Sequence, residues 1–419
     1  MHLYDVPIVF VLIGLALYVV LGGADFGAGL WQLATLPAQR RGPQARERAE
    51  RIREYAHNAM GPVWEANHVW LIFVLTVTWT AYPEAFGSIA STLAVPLFIA
   101  GLGVIARGTA YALRSGSDQP RELARIDTVF ALSSLLTPFA LGAAVGAIVA
   151  GRVPVGNAAG GLFSSWTGPI SILVGVLAVA VSAYLAAVYL AADAARAGKG
   201  ALVDAFRTRA LLAALVAGAV AAAGLVVLHS DAHRIYHRLL EGPGLPAVVI
   251  SVLAGLSTIG LVIDRRFELA RVSAALAVAA MVAGWALAQE PYILPPHLTL
   301  RQAAAPHETL VCVLVAIVVG GAILFPSLGL LFSLVLRGRF ETPREDGDGR
   351  RPASVTALLA PAAEGLRARL ALAGLLGGVG LLTIAEAPWA HGIGVACLFA
   401  AMILAFLAVD PAGLAARED

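Results

Sequence analysis

The chain has 419 residues, of which 59% are apolar and only 13% charged, with a formal net charge of +2 and a mean hydropathy of +0.81. A soluble chain of this length carries about 25% charged residues. The composition therefore excludes an ordinary multidomain soluble protein and points to a chain that lives mostly in lipid.

In chain order, apolar runs of spanning length lie at 7–33, 62–82, 88–110, 128–150, 168–191, 210–228, 246–263, 272–289, 311–336, 370–385 and 391–409. They predict an all-α polytopic protein with eleven transmembrane helices. No basic residue precedes the first run, so it is expected to stay as helix 1 and not to be cleaved as a signal peptide. With the N-terminus outside and the C-terminus in the cytoplasm, only Arg152, Arg234, Arg238 and Arg301 fall in outer segments. The rest of the 29 basic residues face inward, as the positive-inside rule demands. Topology thus explains the basic loops, and no nucleic-acid partner is indicated. The stretch 337–369 mixes arginines and acids with glycine and proline, and reads as a cytoplasmic linker. It sets off a terminal hairpin at 370–419. The two cysteines, Cys312 and Cys397, lie in apolar runs without metal-ligand spacing, and are expected as buried, inert thiols.

A charge inside a span costs about 2.5–3.5 kcal/mol at the helix centre, so each one asks for a reason. In helix 1, Asp25 sits within Gly22-Gly23-Ala24-Asp25-Phe26-Gly27-Ala28-Gly29. The glycines four apart invite another helix to approach closely. Asp25 is either a hydrogen-bonded packing residue or a proton carrier. Helix 2 begins Gly61-Pro62-Val63-Trp64-Glu65-Ala66-Asn67-His68-Val69-Trp70. Glu65 and His68 are three apart and share a face, and a carboxylate beside an imidazole can pass protons. The rival for Glu65 is snorkelling to the inner surface; for Trp64 and Trp70 it is anchoring at the membrane interface. At the inner end of helix 3, Arg107 lies deeper than Arg114 and is placed to pair with Asp25 or Glu65.

On the outer side, His229, His233 and His237 recur every four residues, which would align them on one helix as weak candidates for a metal site. Arg234 and Arg238 interleave with them and argue against a cation. The proline-rich stretch from Gln289 to Thr299 is expected as a structured loop at the membrane surface. The glycines of 101–106 fit a loose dinucleotide fingerprint but lie inside a helix with no preceding strand.

The segments GADFGAG, GPVWEANHVW, ARGTAYALR, FALSSLLTPFALGAAVGAIVAG and EPYILPPHLTL occur in an order that resembles subunit II of the cytochrome bd ubiquinol oxidases, over about residues 1–336. The resemblance implies two pseudo-equivalent four-helix bundles, at 1–165 and 166–310, and a ninth helix at 311–336. It implies a multi-pass protein of the bacterial cytoplasmic membrane. The implied partner is subunit I, which holds haem b and haem d and the quinol site. The complex would oxidise quinol and reduce dioxygen to water. This chain would carry no haem and no catalytic residue. Asp25 and Glu65 match the family's acids of the proton path from the cytoplasm, with His68 added to them. Trp64, Asn67, Trp70 and Arg107 would support that path or face the partner.

The sequence departs from the family pattern in Glu65 for aspartate, His68 for glutamine and Ala66 for glycine. Its helix 5, SAYLAAVYLAADA, lacks the family's polar features, and helices 10 and 11 exceed the family's nine. Two rivals stay open at this stage. One is a secondary transporter or ion channel whose intramembrane acids bind cations. The other is a structural membrane subunit derived from the oxidase.

Overall fold

The computed structural model describes residues 2–35, 42–58, 63–114, 120–336, 366–384 and 388–408, in places such as 63–66 and 331–336 by backbone alone. Residues Met1–Leu328 form one compact unit and Gly329–Asp419 a second. Among the described residues both are helical, apart from one short hairpin in the first unit. Eight helices among the described residues are long and apolar enough to cross a membrane. The other three predicted spans, 62–82, 370–385 and 391–409, coincide with helices α4 (Val63–Ala81), α15 (Leu366–Ile384) and α16 (Pro388–Ala408). Helices α15 and α16 pack on each other as a hairpin. The stretch 337–365, most of the expected linker, lies outside the described residues.

The first span is one long helix with an irregular middle. Helices α1 (Val6–Leu17) and α2 (Gly23–Leu33) are joined by a wide π-helical turn at Tyr18–Gly22. The arginine-rich segment after it, read from the sequence as a loop, is the amphipathic helix α3 (Pro43–Asn58). Ala49, Ile52 and Ala56 bury its apolar stripe, while Arg46–Glu50 and Arg51–Glu47 pair one turn apart on the wet face.

The predicted third span is two helices, α5 (Pro83–Thr92) and α6 (Ala94–Arg114), broken at Leu93. Pro96 explains the break. It has no N–H for the carbonyl of Thr92, and its ring would clash with that carbonyl in a continuous helix. Helix α7 (Pro120–Val149) runs through Pro138 unbroken. Next come α8 (Pro169–Arg196), α9 (Gly200–Asp231), the short α10 (His233–Leu240), α11 (Leu245–Ile263) and α12 (Phe267–Gln289).

Contacts between spans run from the first span to α4, α7 and α8, from α6 to α7, from α8 to α7, α9 and α12, and from α11 to α9 and α12. Helix α8 joins the early spans to the late ones, packing against α2 and α7. That seam is closed by small residues: a Cβ on Gly27 would sit 1.9 Å from the backbone oxygen of Ser182. Only glycine lets the two backbones approach this closely. Trp31 then ties α2 to α8 by donating its indole N–H to the Ala183 carbonyl at 2.9 Å.

The proline-rich stretch is more ordered than a loop. Strands β1 (Tyr292–Leu294) and β2 (Leu298–Thr299) pair antiparallel and bury Ile293, Leu294 and Leu298 against Ala81, Tyr82 and Val153. Thr299 then caps α13 (Leu300–Ala303), which leads into α14 (His307–Leu336). Cys312 is exposed on α14 and Cys397 half-buried, so neither is the fully buried thiol expected from the sequence. An apolar run in a membrane can face lipid as easily as protein.

Candidate functional site

The wide turn in the first span positions the site. It leaves the Leu21 carbonyl open to the side-chain amide of Asn67, on α4, at 3.4 Å. The same amide nitrogen donates to the Asp25 carboxylate. Wide turns of this type recur at functional sites, because they place an irregular backbone inside an otherwise satisfied helix. Asn67 is buried.

Arg107 approaches from α6. It is only 2% exposed, although it carries a charge in the middle of a bundle. One nitrogen donates to the backbone oxygen of Asp25 at 2.7 Å, another to the Ser134 hydroxyl at 3.1 Å. Its guanidinium lies between two aromatic faces, 4.7 Å from the Phe26 ring centre and 4.8 Å from that of Phe130. This stacking suits a planar guanidinium better than an ammonium. Ser134 is itself held by its own donation to the Phe130 carbonyl at 2.7 Å. Gly29 makes room for it, since a Cβ there would lie 2.2 Å from the Ser134 oxygen. The sequence offered Arg107 either Asp25 or Glu65 as a partner; the structure joins it to the backbone carbonyl of Asp25.

His68 is half-buried beside this group, with its ring centre 6.1 Å from Tyr18 and 6.2 Å from Phe26. The Tyr18 hydroxyl is buried with no hydrogen-bond partner among the described residues. Trp70 is half-buried on α4. The side chains of Trp64 and Glu65 lie outside the described residues, so the pairing expected between Glu65 and His68 does too.

A second group, closer to the arginine-rich end, was not anticipated. Asp127 on α7 is 5% exposed. Arg53 of α3 reaches it at 3.2 Å, and Arg114 of α6 makes a closer ion pair with its other oxygen. His57 lies nearby, its ring 5.4 Å from Tyr111 and 6.0 Å from Phe130. It borders an open pocket of about 570 Å³ lined also by Glu50, Arg53, Glu54 and Arg114. Burial, and then the neighbouring Arg114, Arg107 and Arg53, lower the His57 pKa to about 4, so its ring is neutral at pH 7. A sequence signal existed: Asp127, Phe130 and Ser134 fall at i, i+3 and i+7, one face of one helix. Phe130 joins the two groups, touching His57 on one side and Arg107 on the other.

At the opposite end of the bundle the three histidines do not share a helix. His229 ends α9, the chain turns at Ala232, and His233 opens α10. Among the described residues no group of three or more His, Cys, Asp or Glu is arranged to hold a metal ion, which removes the three-histidine site. The arginines expected to repel a cation point elsewhere. Arg234 stacks on Tyr292 at 4.1 Å, and Arg238 donates to the Ala288 carbonyl at 3.0 Å.

Comparison with known proteins decides the family. A family model described as cytochrome bd terminal oxidase subunit II matches residues 3–335. The chain belongs to the cytochrome bd terminal oxidase subunit II family. It is also similar to the cytochrome bd ubiquinol oxidase subunit 2 of Bacillus subtilis (strain 168), at 29% identity over 140 residues. That alignment spans 33% of this chain and 38% of the relative, well under two thirds of its length. Among solved structures, the bd oxidase from Geobacillus thermodenitrificans has a chain that superposes with a TM-score of 0.61 at 25% identity. The superposition covers 80% of this chain and 99% of that one. The fold of a bd oxidase subunit is therefore the fold of this chain, and the transporter and channel readings are not favoured.

Proposed function

We propose that this chain is the second subunit of a cytochrome bd-type quinol oxidase in the bacterial cytoplasmic membrane. The complex oxidises quinol and reduces dioxygen to water, with haem b and haem d on subunit I. This chain braces that partner in the lipid and carries protons inward from the cytoplasm by way of Asp25, Glu65 and His68, with Trp64, Asn67, Trp70 and Arg107 in support. The observation that carries the proton role is the Asp25–Asn67 pair beside a fully buried Arg107. A carboxylate is kept in the bundle where packing alone would favour an apolar residue. Its hydrogen-bond partner is a neutral amide, so the carboxyl can gain or lose a proton without breaking an ion pair.

The orientation rests on the distribution of arginines. The pocket beside His57 lies at the arginine-rich end, where protons would be taken up. This chain itself is read as carrying no haem.

The test is to purify the chain with subunit I and measure quinol-dependent oxygen uptake in Asp25→Asn and Glu65→Gln. Turnover is expected to fall at least about tenfold in each, equivalent to about 1.4 kcal/mol on the barrier, with haem spectra and assembly retained. Full activity in both variants removes the proton role. A haem spectrum from this chain alone removes the haem-free assignment.

A further inference from the structure

The histidines at the end of α9 and α10 have no part in that reading, and their geometry contains a conflict. The Nδ1 of His233 lies 3.1 Å from the backbone oxygen of His229. A carbonyl can only accept, so this nitrogen carries the ring hydrogen. The Nδ1 of His237 lies 2.7 Å from a carboxylate oxygen of Glu241. An ionised carboxylate also only accepts, so here too the hydrogen is on Nδ1. A neutral imidazole has one N–H. Both Nε2 atoms therefore present lone pairs, and they face each other at 2.9 Å. Two lone pairs at that distance repel unless a proton, making one ring an imidazolium, or a metal ion lies between them.

We propose that His233 and His237 bind one divalent transition-metal ion through their Nε2 atoms, with water completing its coordination. Four residues apart on α10, the rings share one helix face, the spacing by which two histidines of a helix hold zinc in metalloproteases. Their Nδ1 atoms are oriented by a carboxylate and a carbonyl, the outer partners that fix metal-ligating histidines. A tetrahedral ion about 2.0–2.1 Å from each nitrogen separates the two nitrogens by roughly 3.3 Å. The rings need part by only a few tenths of an ångström, which the 42% exposed His237 side chain allows.

Charge does not oppose the ion. Besides the stack on Tyr292, Arg234 donates to the Glu290 carbonyl at 3.4 Å; Arg238 is bonded to the carbonyls of Ala288 and Leu287. Asp231 is engaged by Arg152 at 2.7 Å. Glu241 is the charged group facing the rings. His229 contributes its carbonyl, while its ring stacks edge-on against His233 and Tyr236. With two protein ligands the ion is exchangeable, and the site is of a different kind from a closed structural zinc centre.

The test is calorimetric titration of Zn²⁺ and Ni²⁺ into the full chain in detergent, with any affinity tag removed. One ion per chain is expected. His233→Ala and His237→Ala should each weaken binding at least tenfold, and Glu241→Gln by about tenfold through lost orientation. His229→Ala should leave affinity within threefold, and added Cu²⁺ should show electron-spin coupling to two imidazole nitrogens. Melting curves of the variants, expected near that of the parent, exclude unfolding as the cause. The assignment is overturned by any of three outcomes: no saturable binding, binding undiminished in the His233→Ala/His237→Ala double variant, or a His229→Ala loss as large as that of His233→Ala.

Discussion

Two carboxylates on packed helices, Asp127 on α7 and Asp25 on α2, are held in opposite ways. Asp127 is gripped by two guanidinium groups, one on each oxygen, from α3 and α6. Asp25 takes a hydrogen bond from the neutral amide of Asn67, while Arg107 directs a nitrogen to its backbone carbonyl. The first arrangement is a clamp: it fastens the amphipathic α3 to the transmembrane bundle. The second leaves the carboxyl available for proton exchange. A buried acid by itself therefore says little about function; the charge and number of its partners say more.

The largest expected effect separates the two. Asp127→Asn leaves Arg53 and Arg114 facing each other with their shared counter-charge gone. Breaking a buried ion pair from one side costs about 3–5 kcal/mol, and the partial exposure of both guanidiniums favours the lower end. Denaturant unfolding in detergent should show it, with oxygen uptake per assembled complex within twofold of the parent. Adding Arg114→Gln should restore part of the loss, since the two sites are coupled. Asp25→Asn should do the reverse, with turnover down about tenfold and stability changed by less than about 1 kcal/mol. If Asp127→Asn abolishes turnover without loss of stability, the clamp is on the proton route and the contrast fails.

A smaller effect sharpens the picture at Arg107. Arg107→Lys keeps the charge but loses the fork that reaches both Ser134 and Asp25, and the planar stack between Phe26 and Phe130. The expected cost is about 1–2 kcal/mol of stability. Oxygen uptake should fall in step with Asp25→Asn only if Arg107 tunes the carboxyl as well as holding the helix. Unfolding and turnover measured on the same preparation distinguish these outcomes.

Much of this was legible in the sequence. Apolar runs marked the helices, and Asp25, Asn67 and Arg107 stood out as polar groups in spans that lipid would not tolerate unexplained. What escaped has physical causes. Asp127 sits where charged residues give way to the apolar run, so it looked like part of a solvated loop; its buried state depends on α3 folding back over it. The break at Leu93 was hidden because Pro96 acts one turn upstream of itself. The turn at Ala232 was hidden because a four-residue histidine repeat reads the same whether or not the helix is continuous. Prolines 291, 295 and 296 masked the β1–β2 pair, since proline argues against strands except at edges. That Arg234 stacks on Tyr292 and Arg238 bonds to the Ala288 carbonyl was hidden because sequence gives their spacing and not their direction.

The smallest expected effect bears on how the clamp responds to pH. His57 titrates at about 4 in the folded chain, below its ordinary value of about 6.5, because it is buried and beside arginines. On acidification the unfolded chain takes up this proton first, so between about pH 6.5 and pH 4 the unfolded state binds more protons than the folded one. Stability from this group is therefore complete above pH 6.5, falls as the pH drops towards 4 and falls no further below it. His57→Gln should flatten that part of the melting temperature against pH profile and leave pH 7.5 nearly unchanged. The effect is tied to Asp127. A proton on His57 places a third positive charge near Arg53 and Arg114, whose shared ion-pair partner is Asp127, with Glu50 and Glu54 more distant at the pocket rim. In the Asp127→Asn background the acid limb should therefore steepen, and an unchanged slope there would mean that His57 and the clamp are electrically independent.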